Sequence, residues 1–295
     1  MPEISRVGVL GCGLMGSGIA QTAASAGFIT LVRDVEDGLL ARGEAAIQTS
    51  LDKLVEKGKL DGAVRRSALE RLTFTTDLGD LAGCDLVVEA VTEDLGLKTE
   101  LWRALDDLCP ADTIFASNTS SLSIGEMAAA TRRPERVVGL HFFNPVPLMA
   151  LVEVVRAVTT APAVVVRAVA FARRLGKEPI ETRDRSGFVV NRLLVPYLLD
   201  AVRALEQGVA SASDIDRGMQ LGCGHPMGPL RLLDLVGLDT VSRIAEIMFD
   251  EYREPRYAPP PLLRRLVAAG HHGRKSGRGF YDYASDPPVP IASGL

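Results

Sequence analysis

Short apolar runs alternate with longer stretches of helical periodicity from the start of the chain to about residue 175. The runs are Val7–Leu10, Ile29–Val32, Leu72–Phe74, Asp85–Glu89, Thr113–Ala116, Arg136–His141 and Val152–Val155, and each predicts a strand. Asp85–Glu89 is almost unbroken in its apolarity, as expected of a strand buried on both faces of a parallel sheet. Helices are expected from about Leu14, over Val35–Leu60, Leu95–Leu108, Met127–Thr131 and Ala163–Leu175. Strands and helices in alternation predict an α/β domain with right-handed crossovers and a mostly parallel sheet.

The pattern changes near residues 184–187. From Gly187 onward the period is helical, with Val190, Leu193, Leu194, Tyr197, Leu198 and Val202 on one face. Ser213–Gln220 and Leu230–Phe249 continue in that style, and no convincing strand precedes Phe280-Tyr281. The expected domains are therefore 1–185, α/β, and 186–295, all helical. Pro259-Pro260-Pro261 reads as a turn or a short extended spacer.

At 295 residues the chain is long enough for two domains, and its 47% hydrophobic and 24% charged residues are the balance of a globular protein. A net charge of −4 carries no electrostatic footprint for nucleic acid or an anionic membrane. Cys12, Cys84, Cys109 and Cys223 show neither a CxxC pair nor metal spacing, so reduced thiols of a cytoplasmic protein and no metal site are expected. The first strand is expected within about six residues of Met1, so no targeting peptide is expected. No apolar run is long enough to span a bilayer.

The first candidate chemistry lies at the start of the first helix. Gly11, Cys12, Gly13, Leu14, Met15 and Gly16 form a GxGxxG turn between an apolar strand and a small-residue helix. A second strand follows and ends at Asp34. Strand, turn, helix, strand and acid make a complete βαβ unit for a dinucleotide, so the first domain is expected to be of Rossmann type. Gly11 permits the tight turn, Gly13 the approach of a pyrophosphate, and Gly16 the packing of helix on strand. The helix N–H groups would hold the phosphates. Asp34 would accept hydrogen bonds from the adenine ribose, which favours NAD over NADP because a carboxylate repels a 2′-phosphate. Arg33 works the other way, since an arginine at such a position accepts that phosphate.

Ligands of an open parallel sheet sit beyond the carboxyl ends of its strands. Three polar clusters fall there: Glu89–Glu93, Ser117–Ser121 and His141–Asn144. An enzyme that oxidises a hydroxyl needs a base to take the O–H proton as hydride leaves the carbon, and histidine suits that task. Glu153 lies in the apolar run LMALVEVV, where a carboxylate is costly unless partnered. Pairing with His141 would satisfy it and fix the imidazole tautomer. Each residue also has a plainer reading: His141 as a structural strand-end residue, Glu153 as an edge charge, and Ser120, Asn118 and Asn191 as turn formers or helix caps. Residue chemistry alone thus reaches a dinucleotide-dependent oxidoreductase with a histidine base and stops short of a substrate.

The blocks GCGLMGSGIA, VVEAVTED, ASNTSSL, HFFNPVPLMALVEVV, GFVVNRLL, HPMGPLRLLDLVGLD and GRKSGRGFYDY occur in that order over nearly the whole chain. Together they resemble the 3-hydroxyacyl-CoA dehydrogenase family, most closely its bacterial members acting on 3-hydroxybutyryl-CoA. The resemblance implies reversible oxidation of an (S)-3-hydroxyacyl-CoA to a 3-oxoacyl-CoA. His141 and Glu153 match the family's catalytic histidine and glutamate, Ser120 its substrate-polarising serine, and Asn191 its asparagine. Glu93, Lys98, Asn144, Lys275 and Ser120 would serve the nicotinamide side. Ser50 and Lys57, with Ser120, match its CoA contacts; a solvated helix face is the plain alternative for the lysines. A helical C-terminal domain that forms a homodimer is also implied. His225-Pro226 and Arg33 depart from the pattern. Two other readings remain open at this level, a dehydrogenase of a free hydroxy acid or sugar acid and a non-catalytic dinucleotide-binding module.

Overall fold

The computed structural model describes residues 3–291. The chain divides into two compact units, residues 1–188 and 189–295.

The first unit runs β1 (Arg6–Leu10), α1 (Leu14–Ser25), β2 (Ile29–Arg33), α2 (Asp37–Glu56), α3 (Gly62–Glu70), β3 (Leu72–Thr75), β4 (Leu86–Glu89), α4 (Leu95–Leu108), β5 (Ile114–Ser117), α5 (Ile124–Ala129), β6 (Val137–Phe142), β7 (Leu151–Arg156), α6 (Pro162–Arg174) and β8 (Glu178–Arg183). Its eight strands form one sheet in the order β3-β2-β1-β4-β5-β6-β7-β8. The strand order reverses between β1 and β4, so the crevice of a doubly wound sheet opens at the carboxyl end of β1. Alternate residues of the strands feed two apolar layers. Val7, Val9, Val88 and Val138 pack with Ile19 and Ala23 on one face. Leu10, Val87 and Phe115 pack with Trp102 and Leu105 on the other. Side chains at period two on a sheet covered on both faces explain why these runs read as continuously apolar.

One junction departs from the parallel pattern. β6 pairs antiparallel with β7, in the register His141↔Glu153, and β7 then pairs parallel with β8. The sequence reading missed β8, whose residues EPIETR carry little apolar pattern because it is an edge strand. It also missed α3, whose start is marked by Asp61 accepting a hydrogen bond from the Ala63 N–H at 2.7 Å.

The second unit contains α7 (Val190–Glu206), α8 (Ala212–Cys223), α9 (Pro229–Val236), α10 (Leu238–Tyr252) and α11 (Pro261–Ala268), with a short hairpin of β9 (Tyr281–Asp282) and β10 (Val289–Pro290). The stretch of helical style over Leu230–Phe249 is two helices, broken at Gly237 with φ 107°. Pro261, expected in a spacer, opens α11, where its missing N–H costs nothing. Leu198, Val202, Leu233, Val241 and Leu263 are core residues here. The unit is not purely helical: Asp234, buried on α9, accepts the Phe280 and Tyr281 N–H groups at 2.8 and 2.9 Å and so fixes the segment leading into the hairpin. Among the described residues no helix is long and apolar enough to cross a membrane.

Candidate active site

The glycine turn closes on backbone. Gly11 has φ 92°, and a Cβ there would stand 2.7 Å from the Ala90 carbonyl oxygen. A Cβ on Gly16 would stand 1.8 Å from the Gly11 carbonyl oxygen. A Cβ on Gly13 would meet nothing within 4 Å, so that position faces open space. α1 begins without a side-chain cap and without an acidic residue in its first turn, which leaves its first N–H groups and its positive end to an anion. The Asp34 carboxylate, at the end of β2, accepts the Cys12 N–H at 2.6 Å and the Val35 N–H at 2.7 Å. Arg33 donates through Nε to the Thr76 carbonyl at 3.2 Å. Burial raises the Cys12 thiol above its ordinary value, despite the Ser17 hydroxyl beside it. These features fit a dinucleotide: a phosphate cradle at Gly13 and α1, and an acid at the second strand end.

Gly16→Ala is expected to abolish this arrangement, because the added methyl collides with main chain that no side-chain rotation relieves. We expect at least roughly 2 kcal/mol of lost stability and loss of NADH binding, measured by thermal melting and fluorescence titration. Unchanged melting and titration curves would contradict the packing described.

An ion-pair network ties the ends of β4 and β5. Lys98 on α4 is 1% exposed and its Nζ lies 3.0 Å from Glu89 Oε1 and 2.8 Å from Glu93 Oε2. Glu89, fully buried, also accepts the Ser117 hydroxyl at 2.6 Å and the Val91 N–H at 2.8 Å. Glu93 accepts the Thr119 hydroxyl and, at 3.2 Å, the Ser120 N–H. Burial of Glu93 opposes its ionisation, but the Lys98 ammonium and these hydrogen bonds outweigh that and hold its carboxyl below the ordinary glutamate value. Because the folded value is depressed, the network stabilises the protein above the unfolded value and that contribution is lost as pH falls through the folded one. The melting temperature should therefore drop more steeply on acidification in the wild type than in Glu93→Gln; parallel pH curves would show that Glu93 contributes nothing.

Next to this network stands the histidine. The antiparallel register of β6 and β7 places His141 and Glu153 opposite each other on one face. His141 Nδ1 lies 2.6 Å from Glu153 Oε2, with the two residues 4% and 0% exposed. Glu153 serves as acceptor, so Nδ1 carries the proton, Nε2 presents its lone pair, and the Ser120 hydroxyl 3.0 Å away donates to it. Phe143 and Phe188 flank the imidazole, with ring centroids at 4.6 and 5.5 Å. Asn118 Oδ1 accepts the Phe142 N–H at 2.9 Å and fixes the strand end beside it. A buried acid, an oriented imidazole and a hydroxyl form a relay suited to moving one proton to or from a bound oxygen.

The first unit therefore brings together Ser120, His141 and Glu153, and adjoins to them Glu93 and Lys98. Asn144 is exposed in the loop after β6. Ser50 and Lys57 line a cavity of about 600 Å³ with Lys53 and Lys59, against Pro147 and Leu148. Asn191 and Lys275 belong to the second unit: Asn191 sits in the first turn of α7, and Lys275 Nζ is 2.7 Å from Asp239. Glu89, read from the sequence only as the start of the polar cluster Glu89–Glu93, is the fully buried member of this network. Among the described residues no cluster of three or more His, Cys, Asp or Glu is placed to hold a metal.

This fold and site are those of an NAD-dependent oxidoreductase acting on a CH–OH group. The profile described as "3-hydroxyacyl-CoA dehydrogenase, NAD binding domain" matches residues 6–185, and that described as "3-hydroxyacyl-CoA dehydrogenase, C-terminal domain" matches 187–283. A 3-hydroxybutyryl-CoA dehydrogenase of Mycobacterium tuberculosis is 53% identical over 95% of this chain and 99% of its own. A crystal structure from M. tuberculosis superposes with a TM-score of 0.94 at 53% identity, over 96% of this chain and 100% of the other. The (S)-3-hydroxybutyryl-CoA dehydrogenase of Ralstonia eutropha gives 0.92 at 44% identity, over 96% and 100%. The chain belongs to the 3-hydroxyacyl-CoA dehydrogenase family.

Proposed function

We propose that the chain interconverts (S)-3-hydroxybutyryl-CoA and acetoacetyl-CoA, with His141 as the base in the oxidative direction and the acid in reverse. The observation that carries this reading is the Ser120–His141–Glu153 relay, with the Nε2 lone pair turned to the Ser120 hydroxyl and Nδ1 held by a buried carboxylate. His141 Nε2 takes the C3 hydroxyl proton, and Glu153 stabilises the imidazolium that results. When the C3 hydroxyl takes its place on Nε2, the Ser120 hydroxyl turns to donate to the reacting oxygen, and Asn191 is the second donor; such donors are worth about 3 kcal/mol each when aimed at developing charge. NAD, bound at the glycine turn and Asp34, supplies the two-electron acceptor. Glu93 and Asn144 orient its nicotinamide end, Lys98 acts through Glu93, and Lys275 is assigned to the same end by its motif.

Ser50 and Lys57 receive the CoA moiety. The lysines at the end of α2 support this, since CoA carries several phosphate charges. The names of the M. tuberculosis and R. eutropha relatives support a four-carbon acyl group. A homodimer through the second unit is supported by Leu193, Leu221, Leu235 and Val236, apolar side chains exposed on its helices. Free cysteines support a reducing, cytoplasmic setting.

A steady-state series of 3-oxoacyl-CoA substrates from four to sixteen carbons, with NADH and with NADPH, tests the proposal. We expect rapid loss of NADH absorbance with acetoacetyl-CoA and weak activity with NADPH. No oxidation of NADH by any acyl-CoA would leave a dinucleotide-binding protein of another kind.

A further inference from the structure

Two hollows on the first unit adjoin each other. One of about 410 Å³ runs beside the glycine turn at Cys12 and Gly13. The other is the lysine-lined cavity of about 600 Å³. Both are bordered by Ala46 and Ser50 of α2 on one side and by Pro145 and Pro147 on the other. The loop between β6 and β7 is thus one wall of a continuous trough from the nucleotide turn to the lysines.

The two ends of that loop are held by different means. Its beginning, next to His141, is fixed by the β6–β7 pairing and by Asn118 on the Phe142 N–H. Its far part is turned on itself, with the Leu148 and Met149 N–H groups on the Pro145 carbonyl at 3.0 Å, and a buried cation ties that turn to the rest of the unit. Lys177, in the turn between α6 and β8, is 6% exposed, and its Nζ donates to the Val146 carbonyl at 2.6 Å and the Met149 carbonyl at 2.8 Å. The side chain of Val146 rests against α1: a Cβ on Gly18 would stand 2.9 Å from the Val146 Cβ. Leu148, between the two anchored carbonyls, is 58% exposed and lines the lysine cavity. Burial lowers the Lys177 ammonium from its ordinary value, and among the described residues no carboxylate is bonded to it. A lone ammonium is costly to bury, and the two carbonyls are what hold it there.

We infer that Lys177 is a positioning residue for the acyl-CoA path: by pinning the Val146 and Met149 carbonyls it sets the Pro145–Leu148 wall along which the pantetheine arm and nucleotide of the substrate lie. This rests on the proposed CoA role of the lysine cavity. It separates two parts of the site, since His141 is held by strand pairing and the far wall by Lys177. Disturbing Lys177 should therefore harm recognition of the CoA body more than chemistry at C3.

The test compares acetoacetyl-CoA with S-acetoacetyl-N-acetylcysteamine, which keeps the reacting end and lacks the CoA nucleotide. Lys177→Met removes both donors. We expect kcat/KM for acetoacetyl-CoA to fall at least roughly tenfold, mainly through KM, with that for the truncated thioester and the KM for NADH within about threefold of wild type. Lys177→Arg keeps charge and donors, and so the fold, if the methionine variant does not fold. Its donors sit on separate nitrogens rather than one, so it spreads the two carbonyls and should show the same selective rise in KM for acetoacetyl-CoA. Equal losses on both thioesters in the folded variant would overturn the inference and leave Lys177 a stability residue. Wild-type enzyme that used both thioesters equally well would overturn the CoA reading of the cavity, and this inference with it.

Discussion

His141→Gln lowers kcat for acetoacetyl-CoA reduction by roughly 10² to 10⁴ while NADH affinity stays near that of the wild type. The size follows from what glutamine lacks. Its amide occupies similar space on β6 but neither accepts nor releases a proton at Nε2, so the C3 oxygen must exchange its proton with water. Cofactor affinity is preserved because the glycine turn, Asp34 and α1 are held by contacts that do not include His141. Ser120 still has its N–H on Glu93, so the nicotinamide side keeps its geometry. A variant that lost NADH binding yet kept normal turnover of what it bound would assign His141 to the cofactor instead.

Glu153→Gln carries the second large effect, again roughly 10² to 10⁴ in kcat, with a distinctive stability signature. The carboxylate is fully buried and 2.6 Å from Nδ1. It fixes the proton on Nδ1 and faces the positive charge that appears when Nε2 is protonated. Glutamine fails in either orientation. With its amide N–H₂ toward the ring it demands the opposite tautomer, and Nε2 no longer accepts. With its oxygen toward the ring it keeps the tautomer but supplies no charge. Burying a neutral amide costs less than burying a carboxylate, so the melting temperature should hold or rise while activity collapses. Because both residues serve one proton transfer, the double variant His141→Gln/Glu153→Gln should be little slower than either single one. Multiplicative losses would show that Glu153 acts independently of the histidine.

The parts of this site that could be read from the residues are the local ones. The glycine turn, the strand before it and Asp34 lie within one βαβ unit, and each residue type has a backbone or charge reason to be where it is. His141 and Glu153 were readable as candidates because a carboxylate in an apolar run needs a partner. Their facing each other depends on β7 running antiparallel to β6, which periodicity does not reveal, since strand direction leaves no mark on an apolar run. The Glu89–Lys98–Glu93 network was half visible: the acids closed a strand, but Lys98 reaches them from a helix whose pattern resembles any amphipathic surface helix. β8 escaped because an edge strand buries little and so shows little alternation. Lys177 escaped because a lysine in a turn is ordinarily solvated, and only the folded loop reveals the two carbonyls that hold it.

A crystal structure of the protein with NAD and acetoacetyl-CoA bound tests the proton relay most directly. We expect the C3 oxygen within roughly 2.6–3.2 Å of His141 Nε2 and hydrogen-bonded to the Ser120 hydroxyl, with Nδ1 still on Glu153. A ligand whose C3 lies beyond the reach of that imidazole, or a ring turned away from Glu153, would contradict it.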